Sequence, residues 1–344
     1  MKNLQTGYVF DPIFLKHDLE SHPETAKRLK AITGKLEISE LFSSLIKISS
    51  RPASLNEILV CHSSEYINKV KEFCSKGGGF LDPDTYANKF SFDAASIAVG
   101  SVLNLTEAVV NNKIKNGFAL LRPPGHHALS ESAMGFCIFG NVAIAAKSAL
   151  KISGIKKAAI VDIDVHHGNG TQALVEDDPD ILFISTHQFP FYPGTGAINE
   201  TGSGKAKGTV INIPLNAGTS DKSFEIIYNE IIIPSLKRFK PDIIFVSAGY
   251  DSHWDDPLAN MGLSLTGYSW ISKSLVEIAN ELCSGKIIFA LEGGYNLNVL
   301  ETGVLNSIKA LLGKDDFEDS IGPSPYQDKD ISKLISELKR IHSL

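Results

Sequence analysis

Residues 158–172, Ala-Ala-Ile-Val-Asp-Ile-Asp-Val-His-His-Gly-Asn-Gly-Thr-Gln, run from apolar, β-branched chain straight into acids, imidazoles and glycines. The stretch reads as a buried strand that empties into a polar loop. Ligands of open α/β sheets collect outside the carboxyl ends of the strands, so a site is to be sought here. In extended chain, residues two apart face the same side, which sets Asp162, Asp164 and His166 in one row. Asp164 and His166 can then share a divalent metal. The plainer reading makes the acids caps for loop amides and His166 and His167 ordinary loop residues. Against it stands the cost of two carboxylates beside an apolar strand, which a metal would remove.

The same pattern recurs along the chain. Thr6 to Phe10 reads as a first strand, and residues 54–75 show helical spacing up to Gly77-Gly78-Gly79, which reads as a flexible turn because no phosphate-loop Gly-Lys-Ser/Thr follows. Phe92 to Val110 is helical in pattern, and the apolar run Gly117 to Leu121 breaks into Arg122-Pro-Pro-Gly-His126-His127-Ala128. Gly140 to Ile152 reads as a small-residue helix, Ile181 to Thr186 and Thr209 to Pro214 as strands, and Asp221 to Phe239 as one helix. Residues 241–251 repeat the motif of a buried strand ending in an acid, Asp251. A helix over about 266–283 leads to the strand 286–291 and the turn Glu-Gly-Gly-Tyr295, and Lys329 to His342 reads as an amphipathic closing helix. Alternating strands and helices predict a single-domain α/β fold. Its sheet is mostly parallel and doubly wound, flanked by helices, with the site at the carboxyl ends of the strands.

Composition narrows the function. The 344 residues carry 33 basic against 39 acidic side chains, a formal charge of −6, which speaks against direct nucleic-acid binding. Lys147, Lys151, Lys156 and Lys157 form the notable basic cluster and read as a solvated helix end. Cys61, Cys74, Cys137 and Cys283 are scattered, with no Cys-x-x-Cys pair, which points to a reduced compartment. The first residues, Met-Lys-Asn-Leu-Gln-Thr-Gly, lack a signal-peptide core, and no later apolar run reads as long enough to span a bilayer. The expected setting is cytoplasmic, without a membrane partner.

Four predicted strand ends thus deliver His126 and His127, then Asp162, Asp164 and His166, then Asp251, then Tyr295. Asp164, His166 and Asp251 would make a three-ligand site with an open position, as a catalytic metal needs. Two carboxylates cancel the metal's charge, so such a site acidifies water less than an all-histidine one and gains from a separate general base. His126 and His127 are the candidates for that base, and the Tyr295 hydroxyl can donate to a developing oxyanion. These parts suit metal-assisted hydrolysis of an amide.

From about residue 6 to residue 313 the chain resembles the histone deacetylases and their prokaryotic relatives, the deacetylase-like amidohydrolases, acetoin-utilisation proteins and acetylpolyamine amidohydrolases. Arg-Pro-Pro-Gly-His-His-Ala, Gly-Phe-Cys, Asp-Ile-Asp-Val-His-His-Gly-Asn-Gly-Thr-Gln, Pro-Gly-Thr-Gly, Ser-Ala-Gly-Tyr-Asp and Glu-Gly-Gly-Tyr-Asn occur in the family's order. The resemblance implies an arginase/deacetylase-like domain over 1–344, with a core at about 6–313 and a helical extension at about 314–344. It implies a zinc-dependent deacetylase acting on acylated lysine in peptides or proteins. Zinc would sit on Asp164, His166 and Asp251, with His126 backed by Asp162, His127 backed by Asn169, and Tyr295 polarising the carbonyl. Gly135, Phe136, Tyr192 and Gly293 resemble the walls of an acyl-lysine tunnel, and Arg28 the arginine beside the acetate exit path. A structural potassium ion would use Asp162, Asp164, His166, Ser185 and Thr186, mainly through backbone carbonyls. Asn169 and Tyr192 depart from class I deacetylases and agree better with class II, and the segment Leu129 to Phe136 looks more like class II deacetylases than polyamine enzymes.

Other readings use the same residues. Acetylpolyamine hydrolysis needs the same machinery. An acyl-lysine-binding protein without turnover would not need Tyr295, both histidines and all three ligands. Arginase-type chemistry needs a second metal, whose aspartate ligands are missing because His167 and Gly168 follow His166.

Overall fold

The computed structural model describes residues 5–344. Residues 1–4, part of the stretch read as lacking a signal peptide, lie outside the described residues. Among the described residues there are ten strands: β1 (Thr6–Val9), β2 (Ile46–Lys47), β3 (Gly78–Phe80), β4 (Tyr86–Asn88), β5 (Asn116–Ala119), β6 (Ala158–Asp162), β7 (Ile181–Gln188), β8 (Val210–Leu215), β9 (Ile243–Ala248) and β10 (Ile287–Leu291). Eight form one sheet in the order β2-β1-β5-β10-β9-β6-β7-β8, with parallel neighbours throughout. β6, β9 and β10 are buried along their whole length, as strands covered on both faces must be.

That order decides where the chemistry collects. β5, β10, β9 and β6 are far apart in the chain but adjacent in the sheet, and being parallel they all end at the same edge. The four polar loops singled out in the sequence follow these four strands. Helices Ala26–Glu37, Leu265–Cys283 and Leu297–Leu311 pack on one another in one layer, while Ser91–Val110 packs on Asn141–Ala149 in a second.

The structure departs from the sequence reading in several places. The helical pattern over 54–75 is split into Leu55–Ile58 and Ser64–Ser75, because Ser54 and Ser63 each turn a hydroxyl onto a backbone amide and start a helix of their own. The glycine triplet is not a free turn. Gly78–Phe80 pairs antiparallel with Tyr86–Asn88, and the Phe80 and Tyr86 rings meet across the ribbon with centroids 5.8 Å apart. The helix expected over 221–239 carries a π-helical turn at Tyr228–Ile232 just before Pro234, where the missing N–H disturbs the regular ladder. Ser91–Val110 is, by length and composition, apolar enough to cross a membrane, contrary to the reading that no run is; 72% of its most apolar window is spent on the core.

Beyond residue 313 the tail runs back along the body. Asp319 accepts from Thr266 N at the start of Leu265–Cys283, and Asp328 accepts from Ser220 and Ser223 amides at the start of Asp221–Ile227. Each supplies a helix with a cap from a distant part of the chain. The tail ends in the amphipathic helix Ser332–His342, whose Ile335 and Leu338 are buried. The four cysteines are buried and unpaired.

Candidate active site

β6 ends at Asp162, and the chain beyond it no longer keeps the strict alternation that would align Asp162, Asp164 and His166 in one row. Asp164 and His166 turn toward Asp251, whereas Asp162 turns to His126. One ligand atom from each of Asp164, His166 and Asp251 lies within 4.8 Å of the others. His166 Nδ1 is 3.2 Å from Asp164 Oδ1 and 3.4 Å from Asp251 Oδ2. The remaining carboxylate oxygens are fixed by the backbone: Val165 N donates to Asp251 Oδ1 at 2.9 Å and Gly293 N to Asp164 Oδ2 at 2.8 Å.

This cluster fits a divalent metal. Asp251 Oδ2 is fully buried and accepts no hydrogen bond, an expensive state for a carboxylate oxygen without a cation. A Cβ on Gly293 would come within 2.1 Å of that oxygen and 2.5 Å of Asp164 Oδ2, so only glycine leaves the cradle open. Burial pushes the His166 imidazole down, yet the two facing carboxylates more than reverse this and hold it up at about 10. The pocket is thus built for positive charge. Two carboxylate oxygens and an imidazole nitrogen are a donor set that zinc accepts.

The histidine pair lies beside it, with ring centroids 4.0 Å apart. His126 Nδ1 is 3.1 Å from Asp162 Oδ2, and His127 Nδ1 is 2.7 Å from Asn169 Oδ1. Both are buried, which disfavours charge. For His126, the Asp164 and Asp162 carboxylates overcome burial and raise its pKa well above the ordinary value. For His127, burial is reinforced by the neighbouring His126 and His166 charges, and its pKa falls well below the ordinary value. Adjacent residues are thereby driven in opposite directions.

Tyr295 faces the cluster from the end of β10. Its ring meets Phe136 edge-on at 5.9 Å, and the Arg28 guanidinium lies 5.1 Å from its centroid. Burial raises the pKa of its hydroxyl well above the ordinary value in spite of Arg28, so the hydroxyl keeps a proton to donate. A cavity of about 180 Å³ leads to these groups, lined by His126, His127, His166, Tyr295, Gly135, Phe136, Tyr192 and Gly293 together with Asp84, Pro124, Phe191 and Leu258. Tyr192 stands edge-on to both His127 and His166, at 5.3 and 5.9 Å, and Phe191 stacks on His166. Gly135 has φ +55°, and a Cβ there would run into the His127 ring at 2.3 Å. Larger hollows of about 750 and 600 Å³ flank the helix Ser332–His342 and contain none of these residues.

Arg28, expected beside an exit path, does not line the cavity. It is buried behind Tyr295, donating to the carbonyls of Gly294 and Glu292 and to Glu24. Ser185 and Thr186 lie where β7 runs beside β6, with Asp162 directly opposite Ser185 and the Thr186 hydroxyl 3.4 Å from the Asp162 carbonyl. Two features escaped the sequence reading. Glu292 Oε2 accepts from the amides of Gly125 and His126, anchoring the histidine loop to β10. Glu24 bridges Arg28 and Arg122 in an ion cluster without solvent exposure. Glu292 sits at a strand end beside two glycines, as the recognised residues do, and that signal was there to be read.

Fold and site define the class: an α/β enzyme of arginase-like architecture. Residues 22–311 match the model of the histone deacetylase domain. The chain is 41% identical over 348 residues to histone deacetylase 14, chloroplastic, of Arabidopsis thaliana, covering 96% of this chain and 82% of that protein. It is 39% identical to a probable deacetylase of Archaeoglobus fulgidus, covering 98% of each. Among solved structures, the HDA15 HD domain superposes with a TM-score of 0.90 at 36% identity, covering 99% of this chain and 94% of that one. This chain belongs to the histone deacetylase family.

Proposed function

We propose that the protein is a zinc-dependent amidohydrolase that removes acetyl or other acyl groups from the ε-amine of lysine in peptides or proteins. The observation that carries this reading is the unpartnered buried oxygen of Asp251 facing Asp164 and His166 beside two oppositely tuned histidines and a protonated tyrosine. Zinc held by Asp164, His166 and Asp251 would polarise the acyl carbonyl and acidify water. His127, neutral at working pH, takes the proton of the attacking water through the ring nitrogen not held by Asn169, and returns it to the leaving amine. His126, cationic against Asp162, stabilises the negative charge that develops nearby. The Tyr295 hydroxyl donates to the carbonyl oxygen as it becomes an oxyanion. Phe136 and Tyr192 hold the apolar stem and keep bulk water out. A structural potassium ion at the adjoining ends of β6 and β7 is part of the same reading, with Asp162, Asp164, His166, Ser185 and Thr186 as its oxygen donors.

A second reading is acetylpolyamine hydrolysis, favoured by the Asp84 carboxylate in the cavity lining, which would attract a cationic amine. A turnover panel of acetyl-lysine peptides, longer acyl-lysine peptides and acetylated polyamines separates the two. The first reading expects kcat/KM to be highest for an acyl-lysine peptide. A clear preference for the polyamines would replace it with the second, and no turnover of any amide would defeat both.

A further inference from the structure

The Tyr295 turn is gripped from two directions. From behind, Arg28 donates to the Gly294 and Glu292 carbonyls. From the side, a single buried carboxylate takes the next two amides: Asp256 Oδ2 accepts from Tyr295 N at 2.7 Å and from Asn296 N at 3.2 Å. Its other oxygen accepts from Leu258 N at 2.9 Å. The adjacent Asp255 extends the grip, taking the Asn296 side-chain amide on its carbonyl and its carboxylate at 3.0 and 2.8 Å.

The loop that follows β9 therefore does three things within eight residues. It presents Asp251 to the ligand cluster, it contributes Leu258 to the cavity wall, and through Asp256 it holds the backbone of Tyr295, which lines the same cavity. Three N–H donors converge on two oxygens, an arrangement that only a carboxylate satisfies. An asparagine has one acceptor oxygen in place of two, so its NH₂ would face either Leu258 N or the Tyr295 and Asn296 amides, and one side of the tie would be lost. Asp82 closes its own turn with a carboxylate in a similar way, on the Asp84 and Thr85 amides, but that contact stays within one local turn. A buried acid at this junction instead ties the distance between Tyr295 and Asp251 to one side chain.

We propose that Asp256 is the positioning residue for Tyr295, fixing its hydroxyl against the Asp164, His166 and Asp251 cluster by tying the Asp251 loop to the Tyr295 turn. This rests on the reading of Tyr295 as the carbonyl-polarising group. A reacting group displaced by about 1 Å costs on the order of 10²-fold in rate. Asp256→Asn therefore lowers kcat by roughly that factor, while KM and bound zinc stay near wild type.

The test is a double-mutant cycle on an acetylated substrate that the wild type turns over, with zinc content and amide hydrogen exchange measured on the same proteins. In the Tyr295→Phe background, Asp256→Asn should cost about twofold or less, because the hydroxyl it positions is already gone. Exchange at the amides of 295 and 296 should accelerate in Asp256→Asn. Asp256→Glu, which keeps the charge and both oxygens, should recover more activity than Asp256→Asn, and it serves in the cycle if the asparagine variant fails to fold. An equal loss of kcat in both backgrounds, or unchanged exchange at 295 and 296, would overturn the proposal and leave Asp256 a loop-folding residue. If the wild type hydrolyses no acylated amine, it is the proposed function that fails, and the exchange measurement alone decides the clamp.

Discussion

His127 Nδ1 lies 2.7 Å from the Asn169 side-chain oxygen, while its neighbour His126 faces the Asp162 carboxylate at 3.1 Å. One histidine has a neutral partner and the other a charged one, and this difference sets which of them can act as a base. With burial as the largest influence, His127 sits well below the ordinary histidine range. Asn169→Asp places a negative charge against it and should raise its pKa by about one unit or more. The base must lose its proton before it acts, so the acidic limb of kcat/KM moves to higher pH by the same amount. A pH profile of a zinc-loaded Asn169→Asp variant checks this, and a stationary limb removes Asn169 as the partner of the base.

Tyr295→Phe removes the hydroxyl and little else, since its ring contacts with Phe136 and Arg28 remain available to phenylalanine. The expected loss is about 10²-fold or more in kcat, on the scale of an oxyanion donor. KM should change far less. An unchanged kcat would take Tyr295 out of the mechanism.

Asp251→Ala removes a buried carboxylate whose pKa is raised by burial and then by the like charge of Asp164. Relief of that repulsion offsets part of the lost hydrogen bond from Val165 N, so the metal-free variant should melt within a few degrees of the metal-free wild type. Zinc should stabilise only the wild type, by about 2.7 kcal/mol at a hundredfold excess over Kd. Thermal melts with and without zinc make the comparison. A variant stabilised as strongly as the wild type would exclude Asp251 as a ligand.

Glu24 is a test of stability rather than of catalysis. Burial raises its pKa, but Arg122 and then Arg28 more than reverse this, taking the carboxyl from 4.5 to about 2. A depressed folded-state pKa contributes stability that is complete above pH 4.5 and lost as pH falls through about 2. Glu24→Gln should lower the melting temperature at neutral pH, because it leaves two buried guanidiniums without their counter-charge, at a cost of about 3–5 kcal/mol. It should also flatten the acid side of the stability profile. Equal melting temperatures at pH 7 would show that the cluster carries no net stabilisation.

The sequence was informative where chemistry sits at the end of a strand. His126, His127, Asp162, Asp164, His166, Asp251 and Tyr295 could be named because each follows an apolar run, and parallel strands bring such ends to one edge. Asp162 was misaligned with Asp164 and His166, since β6 stops at Asp162 and strand alternation fails beyond it. The partners of buried charge were illegible for a different reason. Arg28 meets residues 264 and 266 positions away, and Glu24 meets Arg122 across 98, so no local pattern records either contact. The π-helical turn before Pro234 and the split of the helix at Ser63 show local hydrogen bonding overriding a correct apolar period.

The central claim is that Asp164, His166 and Asp251 hold one catalytic zinc ion. It is tested most directly by stripping the protein with a chelator and titrating zinc back while following hydrolysis of an acetyl-lysine peptide. Activity should vanish with the metal and return linearly to full value at one zinc per chain, with no return in Asp251→Ala. Hydrolysis that persists in metal-free protein, or that returns equally in Asp251→Ala, would contradict it.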